Sequence, residues 1–288
     1  MLRHYLDDFF GGHPDVEVAA KQFEALKQWF IKLGIPTRDN KCHPPSRIIK
    51  ILGTIYDTIR QKVYLPADKA QAYIEFINSV LDAKGSVHID QLRKLNGRLR
   101  WAARHVWCGK NYCSALESLI WRDRNHTGSH FRRLNTRTKA QIRWWKKALR
   151  TFELGIPFDF ILQPRTECGD RQIYTDACCN PTWAGIGGFS SLGSWFQFKF
   201  YLNEKYPTPD INYFEMLAII VAFKLWAKDF SQQAVKLNID SACCVGQLAK
   251  QHARDRSDLQ ALIDDLCHTS LSCQTHFYAE WLLSLIHI

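Results

Sequence analysis

Apolar residues recur at helical spacing over 16–33, where Val16, Ala19, Ala20, Phe23, Leu26, Phe30 and Leu33 form a stripe that Gly34 and Pro36 end. Ahead of it, residues 1–10 read as a strand, a turn at Asp7-Asp8 and an apolar pair before Gly11-Gly12. Ile48–Tyr56 and Val63–Leu65 are β-rich runs around the polar turn Asp57–Lys62, which predicts one hairpin. After Pro66, the spacing of Ala70, Tyr73, Ile74, Ile77, Val80 and Leu81 predicts a second helix, closed by Gly85. A third helix starts near Asp90 as its cap: Leu92, Leu95, Leu99, Ala102 and Val106 share one face, and Arg93, Arg100 and Arg104 fall opposite. Residues 131–150 read as a further helix, ending in Trp144-Trp145-Lys146-Lys147, and Gly155, Pro157, Pro164 and Gly169 punctuate a linker.

Beyond the linker the pattern predicts strands at 171–178, 183–189 and 194–202, a helix at 212–228, and a strand at 234–240. Helices at 242–252 and 256–270 and a strand at 274–281 follow. Three strands, a helix and renewed strand–helix alternation imply a mixed sheet with flanking helices. The fold class is therefore α+β in the first part and α/β in the second. A length of 288 residues suits about two domains. The 46% hydrophobic and 23% charged content excludes a disordered chain, a collagen-like repeat and a coiled-coil rod. No apolar run approaches the ~20 residues of a membrane helix, and the N-terminus carries no apolar signal segment.

Charge changes the picture because it is unevenly placed. Residues 91–150 hold sixteen Lys and Arg against two acids, Glu117 and Asp123, while the rest of the chain is slightly acidic. Half of the ten tryptophans (Trp101, Trp107, Trp121, Trp144 and Trp145) lie in the same window. Cations mixed with flat rings suit phosphates and bases, so a nucleic acid is the natural partner. A solvated basic surface over a Trp-rich core is the alternative. The helix beginning at Asp90 offers no later acid for a salt-bridge ladder, so phosphate contact is expected of Arg93, Arg100 and Arg104. Arg98, Lys146 and Lys147 join them as candidate contacts.

The ten cysteines make no secreted framework, since Cys178-Cys179 and Cys243-Cys244 are adjacent pairs within regular elements. Cys108 with Cys113, and Cys42 with His43, match zinc spacing only loosely. Reduced, mostly buried thiols are expected, in a cytosolic or nuclear protein, with a zinc or redox module as a remote alternative.

Three carboxylates stand out in the second half. Asp176 lies in the otherwise uncharged Ile173-Tyr174-Thr175-Asp176-Ala177-Cys178, where it needs a partner or a metal, or else serves the turn at Asn180-Pro181. Glu215 follows Asn212 by three residues, which also fits a capping box. Asp240 ends a strand before Ser241, which also fits a helix cap. Together they come from a first strand, the following helix and a fourth strand, which a mixed sheet can bring to one edge. Hard oxygen ligands without His or Cys neighbours point to Mg²⁺ (or Mn²⁺) rather than zinc.

The order Tyr174-Thr175-Asp176-Ala177, Gly185-Ile186-Gly187-Gly188, Asn212-Tyr213-Phe214-Glu215-Met216-Leu217-Ala218 and Ile239-Asp240-Ser241 resembles the type 1 ribonuclease H domain of retroelements over about 170–282. In the first half, His4-Tyr5-Leu6-Asp7-Asp8-Phe9-Phe10 resembles the Tyr-x-Asp-Asp hairpin of reverse transcriptases, and an acidic β-turn is its plain alternative. Lys32–Pro36, Lys41 and Ile51–Ile55 resemble the late palm and primer grip. Leu65–Lys69 and the two helices after it resemble the thumb. Leu95–Val106 and Trp144-Trp145 resemble the connection of DIRS/Ngaro-type (tyrosine-recombinase) retrotransposon polyproteins.

The resemblance implies a partial palm over 1–65, a basic thumb and connection over 66–165, and a ribonuclease H-like domain over 166–282. It implies two Mg²⁺ ions on Asp176, Glu215 and Asp240 that serve hydrolysis of RNA in RNA–DNA hybrids. It also makes Asp7 a metal-holding polymerase residue with Asp8 in support, and a primer–template duplex a second partner. The arginine row would track its backbone with little sequence preference. An earlier palm aspartate and a fourth nuclease acid, on a later helix, have no counterpart here, and Asp264 and Asp265 sit in the wrong element to supply the latter. The chain alone is therefore expected not to polymerise DNA, and Leu283–Ile288 to be a non-native tail. A remnant that binds nucleic acid without cutting it is the rival expectation.

Overall fold

The computed structural model describes residues 2–83, 85–121, 130–151, 155–158, 171–202, 210–254 and 256–282. The expected tail at 283–288 and most of the expected linker lie outside them. The chain is mixed α/β with several sheets.

Strands β1 (Leu2–Tyr5) and β2 (Asp8–Gly11) pair as a hairpin. Its turn falls on Leu6 and Asp7, one residue earlier than expected. Leu6 takes the left-handed backbone, and Asp8 opens the second strand opposite Tyr5. Helix α1 (Val16–Lys32) is capped by Asp15, whose carboxylate accepts the N–H groups of Glu17 and Val18. Phe9 meets Phe30 edge-on at 4.9 Å.

The run Ile48–Tyr56 is itself a hairpin, β3 (Ile48–Ile51) and β4 (Thr54–Asp57), rather than one strand. Leu52 and Gly53 have φ of 48° and 77°, the mirror-image turn that suits the twist of paired strands. Next comes β5 (Lys62–Tyr64), and then β8 (Ile156–Pro157) completes a four-stranded antiparallel sheet. Ile156–Pro157, expected in the linker, is thus a strand. Gly155 has φ +56°, and a Cβ there would lie 2.4 Å from the Val63 carbonyl oxygen, so only glycine lets the strand approach.

Four helices pack against one another: α2 (Ala67–Leu81), α3 (Ile89–Ala102), α4 (Ser114–Trp121) and α5 (Thr136–Arg150). Leu65, Ile77, Leu92, Leu95, Leu99, Leu116, Ile142, Trp145 and Leu149 are fully buried among them. The cap of α3 is His88, two residues before the expected Asp90: its ring nitrogen accepts the Asp90 N–H. The helix stops at Ala102, so Val106 packs from beyond its end. Phe131 and Arg132 form β7, paired with β6 (Val87–His88), instead of starting α5.

The second half follows the expected order closely: β9 (Gln172–Cys179), β10 (Trp183–Ser190), β11 (Trp195–Tyr201), α6 (Ile211–Trp226), β12 (Ala234–Ile239), α7 (Ala242–Lys250), α8 (Ser257–Cys273) and β13 (His276–Trp281). They make a five-stranded sheet in the order β11-β10-β9-β12-β13. The first two pairings are antiparallel and the last two parallel. Helix α6 lies on β9 and β10 and against α8. It is apolar nearly all round, and Met216, Ala218, Ile219, Ile220 and Phe223 fill the core with Ile173, Ile186, Val235, Leu237 and Ile263.

The two halves are joined by specific contacts. The Trp107 indole donates to Ser270 Oγ at 2.6 Å and its ring abuts His276 and Phe277. Gln260 donates to Asn111 at 2.9 Å, and Arg137 pairs with Asp264 at 3.0 Å.

The thiols are less buried than expected. Cys108, Cys113, Cys244 and Cys267 are buried, whereas Cys178, Cys179 and Cys243 are exposed. Cys178 alternates outward with Asp176 on β9, and Cys243 lies on the outer side of the first turn of α7. Among the described residues, no helix is long and apolar enough to cross a membrane.

Candidate metal centre and basic surface

Parallel pairing of β9 with β12 sets Thr175 beside Ile239, so Asp176, still within β9, and Asp240, just past the end of β12, come side by side. Glu215 comes from the second turn of α6. One carboxylate oxygen from each of the three lies within 4.8 Å of the others. Among the described residues this is the one such group of three or more His, Cys, Asp or Glu. It forms between two central strands, where β12 ends beside the middle of β9, rather than on an edge strand.

The structure also resolves the competing roles of these acids. Asp210, not Asn212, caps α6: its carboxylate accepts the Tyr213 N–H at 3.1 Å, and Arg256 holds it at 2.6 Å. Glu215 is therefore free of the capping box that the sequence offered. Ser241, not Asp240, caps α7, accepting the Cys244 N–H at 3.3 Å. Asp176 Oδ1 accepts the N–H of its neighbour Ala177 at 2.9 Å and makes no turn with Asn180, whose carboxamide instead accepts from Thr182 and Trp183.

Several bonds hold the three in place. Ser241 Oγ donates to Asn212 Oδ1 at 3.3 Å and Cys244 Sγ to the Asn212 carbonyl at 3.5 Å, tying the first turn of α6 to the corner that follows Asp240. The Trp281 indole donates to the Asp240 carbonyl at 2.8 Å. None of these positioning residues was identifiable from spacing, because each acts across elements distant in sequence.

The electrostatics are those of an anion cluster. Glu215 is only 4% exposed, and its Oε2 is buried without a hydrogen-bond donor. Burial foremost, then the charges of Asp240 and Asp176, push its carboxyl up to about 8, against the pull of the Ala177 N–H. Burial and then Asp176 also raise Asp240. Three oxygens that repel one another, one of them an orphaned buried acceptor, suit a hard divalent cation such as Mg²⁺ or Mn²⁺.

The other expected site residues fall elsewhere. Asp7 and Asp8 sit at the exposed tip of the β1–β2 hairpin and belong to no such cluster among the described residues. Asp264 and Asp265 face away into ion pairs with Arg137 and Lys224. Of the predicted apolar stripe, Leu92, Leu95, Leu99 and Ala102 are fully buried on α3 and Val106, past its end, is half-buried, while Arg93 and Arg100 on the helix and Arg104 beyond it are exposed. The arginines have partners of their own. Arg93 bonds Asp90 at 3.1 Å, Arg100 pairs with Glu117 from α4, and Arg104 lies over the Trp101 ring at 4.9 Å. Arg98 turns back over the Phe76 ring at 4.2 Å. Lys147 is exposed and Lys146 half-buried on α5.

The tryptophans mostly serve packing: Trp145 is fully buried and donates to the Tyr112 carbonyl, and Trp144 stacks flat on Tyr112 at 3.6 Å. Trp121 is the one ring of the five with half its surface open, at 51%.

No family model matches the chain, and no curated protein does. Among solved structures it is similar to the foamy viral protease–reverse transcriptase in complex with double-stranded DNA, at 14% identity and a TM-score of 0.46, over 98% of this chain and 46% of that one. A second foamy viral structure, in complex with RNA/DNA hybrid, gives 13% identity and a TM-score of 0.44, over 99% and 36%. It is also similar to RNase H1 from the halophilic archaeon Halobacterium salinarum NRC-1, at 16% identity and a TM-score of 0.32, over 39% and 85%. The chain spans less than half the length of these two foamy viral chains.

Proposed function

We propose that residues 166–282 are the ribonuclease H part of a retroelement reverse transcriptase of the DIRS/Ngaro type, which cuts the RNA strand of RNA–DNA hybrids with Mg²⁺ or Mn²⁺. Residues 1–65 and 66–165 are then its late palm, with Asp7 and Asp8 as polymerase residues, and its thumb and connection. The observation that carries the nuclease reading is the convergence of Asp176, Glu215 and Asp240 within 4.8 Å, with a buried acceptor oxygen left bare.

Bound there, divalent ions supply Lewis acidity to a phosphodiester: activation of the attacking water and charge neutralisation at the leaving oxygen. The chain's own part is placement. Asp176 presents an exposed carboxylate from β9 and Asp240 one from just past β12, and Glu215 supplies one from inside. The Asn212–Ser241 and Trp281–Asp240 bonds keep the three elements in register. The exposed cations of α3 and α5, with the excess of sixteen Lys and Arg over two acids across 91–150, grip the phosphate backbone.

Incubation with a hybrid labelled on its RNA strand tests this. Cleavage of the RNA strand is expected with Mg²⁺, none with EDTA, and none of a DNA duplex of the same sequence. Tight, salt-sensitive binding without cleavage under any divalent ion would leave only the gripping function.

A further inference from the structure

The strands β9, β10 and β11 have two unlike faces. On one, Ile173, Ala184, Ile186 and Phe196 are buried, and α6 packs there. The other is set by register. Tyr174, Phe189 and Trp195 form one row across the three strands. Asp176, Gly187 and Gln197 form the next, and Cys178, Gly185 and Lys199 the one after, with Trp183 and Tyr201 paired beyond it. The row of Asp176 therefore has no side chain at its middle strand, where a Cβ on Gly187 would meet no side chain within 4 Å, whereas Gly185 in the next row is flanked by the Cys178 sulfur and the Trp183 ring, 3.0 and 3.3 Å from where a Cβ would lie.

In that next row and beyond it lies a cation among rings. Lys199 Nζ is 4.6 Å from the centre of the Trp183 ring and 5.3 Å from that of Tyr201. Tyr201 is 81% exposed and Trp195 72%, and no described residue covers either. Two large rings so open on one face, flanking Gln197 and Lys199, are not explained by packing. Two strand spacings and one residue pair separate Asp176 from Lys199, roughly 12 Å, or three to four rises of a nucleic-acid strand.

We infer that this face is a platform for unpaired nucleic acid: a single strand continuing from the duplex held at Asp176, Glu215 and Asp240 crosses the open backbone at Gly187 and stacks its bases on Tyr201 and Trp195, with Lys199 on its backbone. Aromatic rings bind unpaired bases without regard to sequence, and a lysine beside them takes the phosphate. The inference rests on the nuclease reading for the position of the duplex, and it adds to that reading a preference for hybrids with a single-stranded extension.

Fluorescence anisotropy in Ca²⁺ compares a short blunt RNA–DNA hybrid with the same hybrid extended at either end by about eight unpaired nucleotides. The unmodified chain is expected to bind one of the extended forms about tenfold tighter than the blunt form. Trp195→Ser with Tyr201→Ser, both at exposed positions, is expected to erase that advantage, and Lys199→Gln to reduce it. Equal affinity for blunt and extended hybrids would overturn the platform, as would an advantage that survives the double variant with its thermal unfolding unchanged. A dimer, seen by sedimentation, that the double variant dissociates while the extension's advantage persists would assign this face to a second copy of the chain instead. Cleavage of the blunt hybrid by the unmodified chain reports on the nuclease separately: its failure beside a retained extension effect removes the nuclease and leaves the platform standing.

Discussion

Asp176→Asn is expected to lower Mg²⁺-dependent cleavage of an RNA–DNA hybrid by about a thousandfold or more, and to leave the affinity for the hybrid within about twofold. The substitution isolates charge from shape. Asp176 is exposed on β9, and the one hydrogen bond its carboxylate makes, from the Ala177 N–H, is open to a carboxamide oxygen as well. The strand should therefore keep its register with β10 and β12, and the melting temperature should stay the same or rise, since a repelling charge has gone. What is lost is one of three anionic ligands to hard cations, a loss that neighbouring oxygens cannot replace. Steady-state cleavage and anisotropy on the same preparation measure both halves of this expectation. A variant that retains a tenth or more of the activity would show that Asp176 holds no essential cation, and a parallel collapse of affinity would make it a binding residue.

The second large effect concerns Glu215, whose carboxyl is pushed up to about 8 by burial first and by Asp240 and Asp176 after that. A folded-state value above the unfolded one means the native chain binds more protons, so the stability contributed by the neutral carboxyl is complete below the unfolded value and is lost as pH rises towards and through about 8. His105 and His276 act in the opposite sense. Burial lowers both to about 4, so their contribution is lost as pH falls from the ordinary histidine range. The interval from neutrality to pH 8 therefore reports on the acid cluster with the least interference. There, without divalent ions, the melting temperature should fall with pH, by an amount on the order of 1 kcal/mol in stability. Glu215→Gln should flatten the fall and raise stability at pH 8, while abolishing cleavage. Excess Mg²⁺ should raise the melting temperature of the unmodified chain by more at pH 8 than at pH 6, because protons and cations compete for the same oxygens. Thermal scans by circular dichroism over that interval, with and without Mg²⁺, read all three. An unmodified chain indifferent to Mg²⁺ at both pH values would count against the cluster as a metal centre.

The sheet of the second half was legible because its elements announce themselves locally. Period-two strands are bounded by Asn180-Pro181 and by Leu192-Gly193, and the unbroken apolar face of Met216–Trp226 leaves no doubt about a helix. Local legibility has a clear limit. The run Ile48–Tyr56 is β-rich from end to end, so its division at Leu52-Gly53 was masked, although Gly53 is the residue that permits the turn. Asp210 took the cap assigned to Asn212 because Arg256, far along the chain, fixes its carboxylate. Arg100 found Glu117 on the next helix when its own helix offered nothing.

The three site acids were each ambiguous alone and became a set only through order along the chain. Their convergence is a product of the β9–β12 register, which no local pattern encodes. The open platform was half visible. Trp195, Gln197, Lys199 and Tyr201 alternate with Phe196, Phe198 and Phe200, which marks two faces, but Gly187, which leaves the backbone open between that face and Asp176, acquires meaning only once β10 lies between.

The whole account depends on Asp176, Glu215 and Asp240 sharing divalent ions, and anomalous diffraction from crystals grown with Mn²⁺ examines that most directly. The expected result is an anomalous peak about 2 Å from carboxylate oxygens of all three residues. Peaks confined to other surface carboxylates, with these three side chains turned apart, would contradict it.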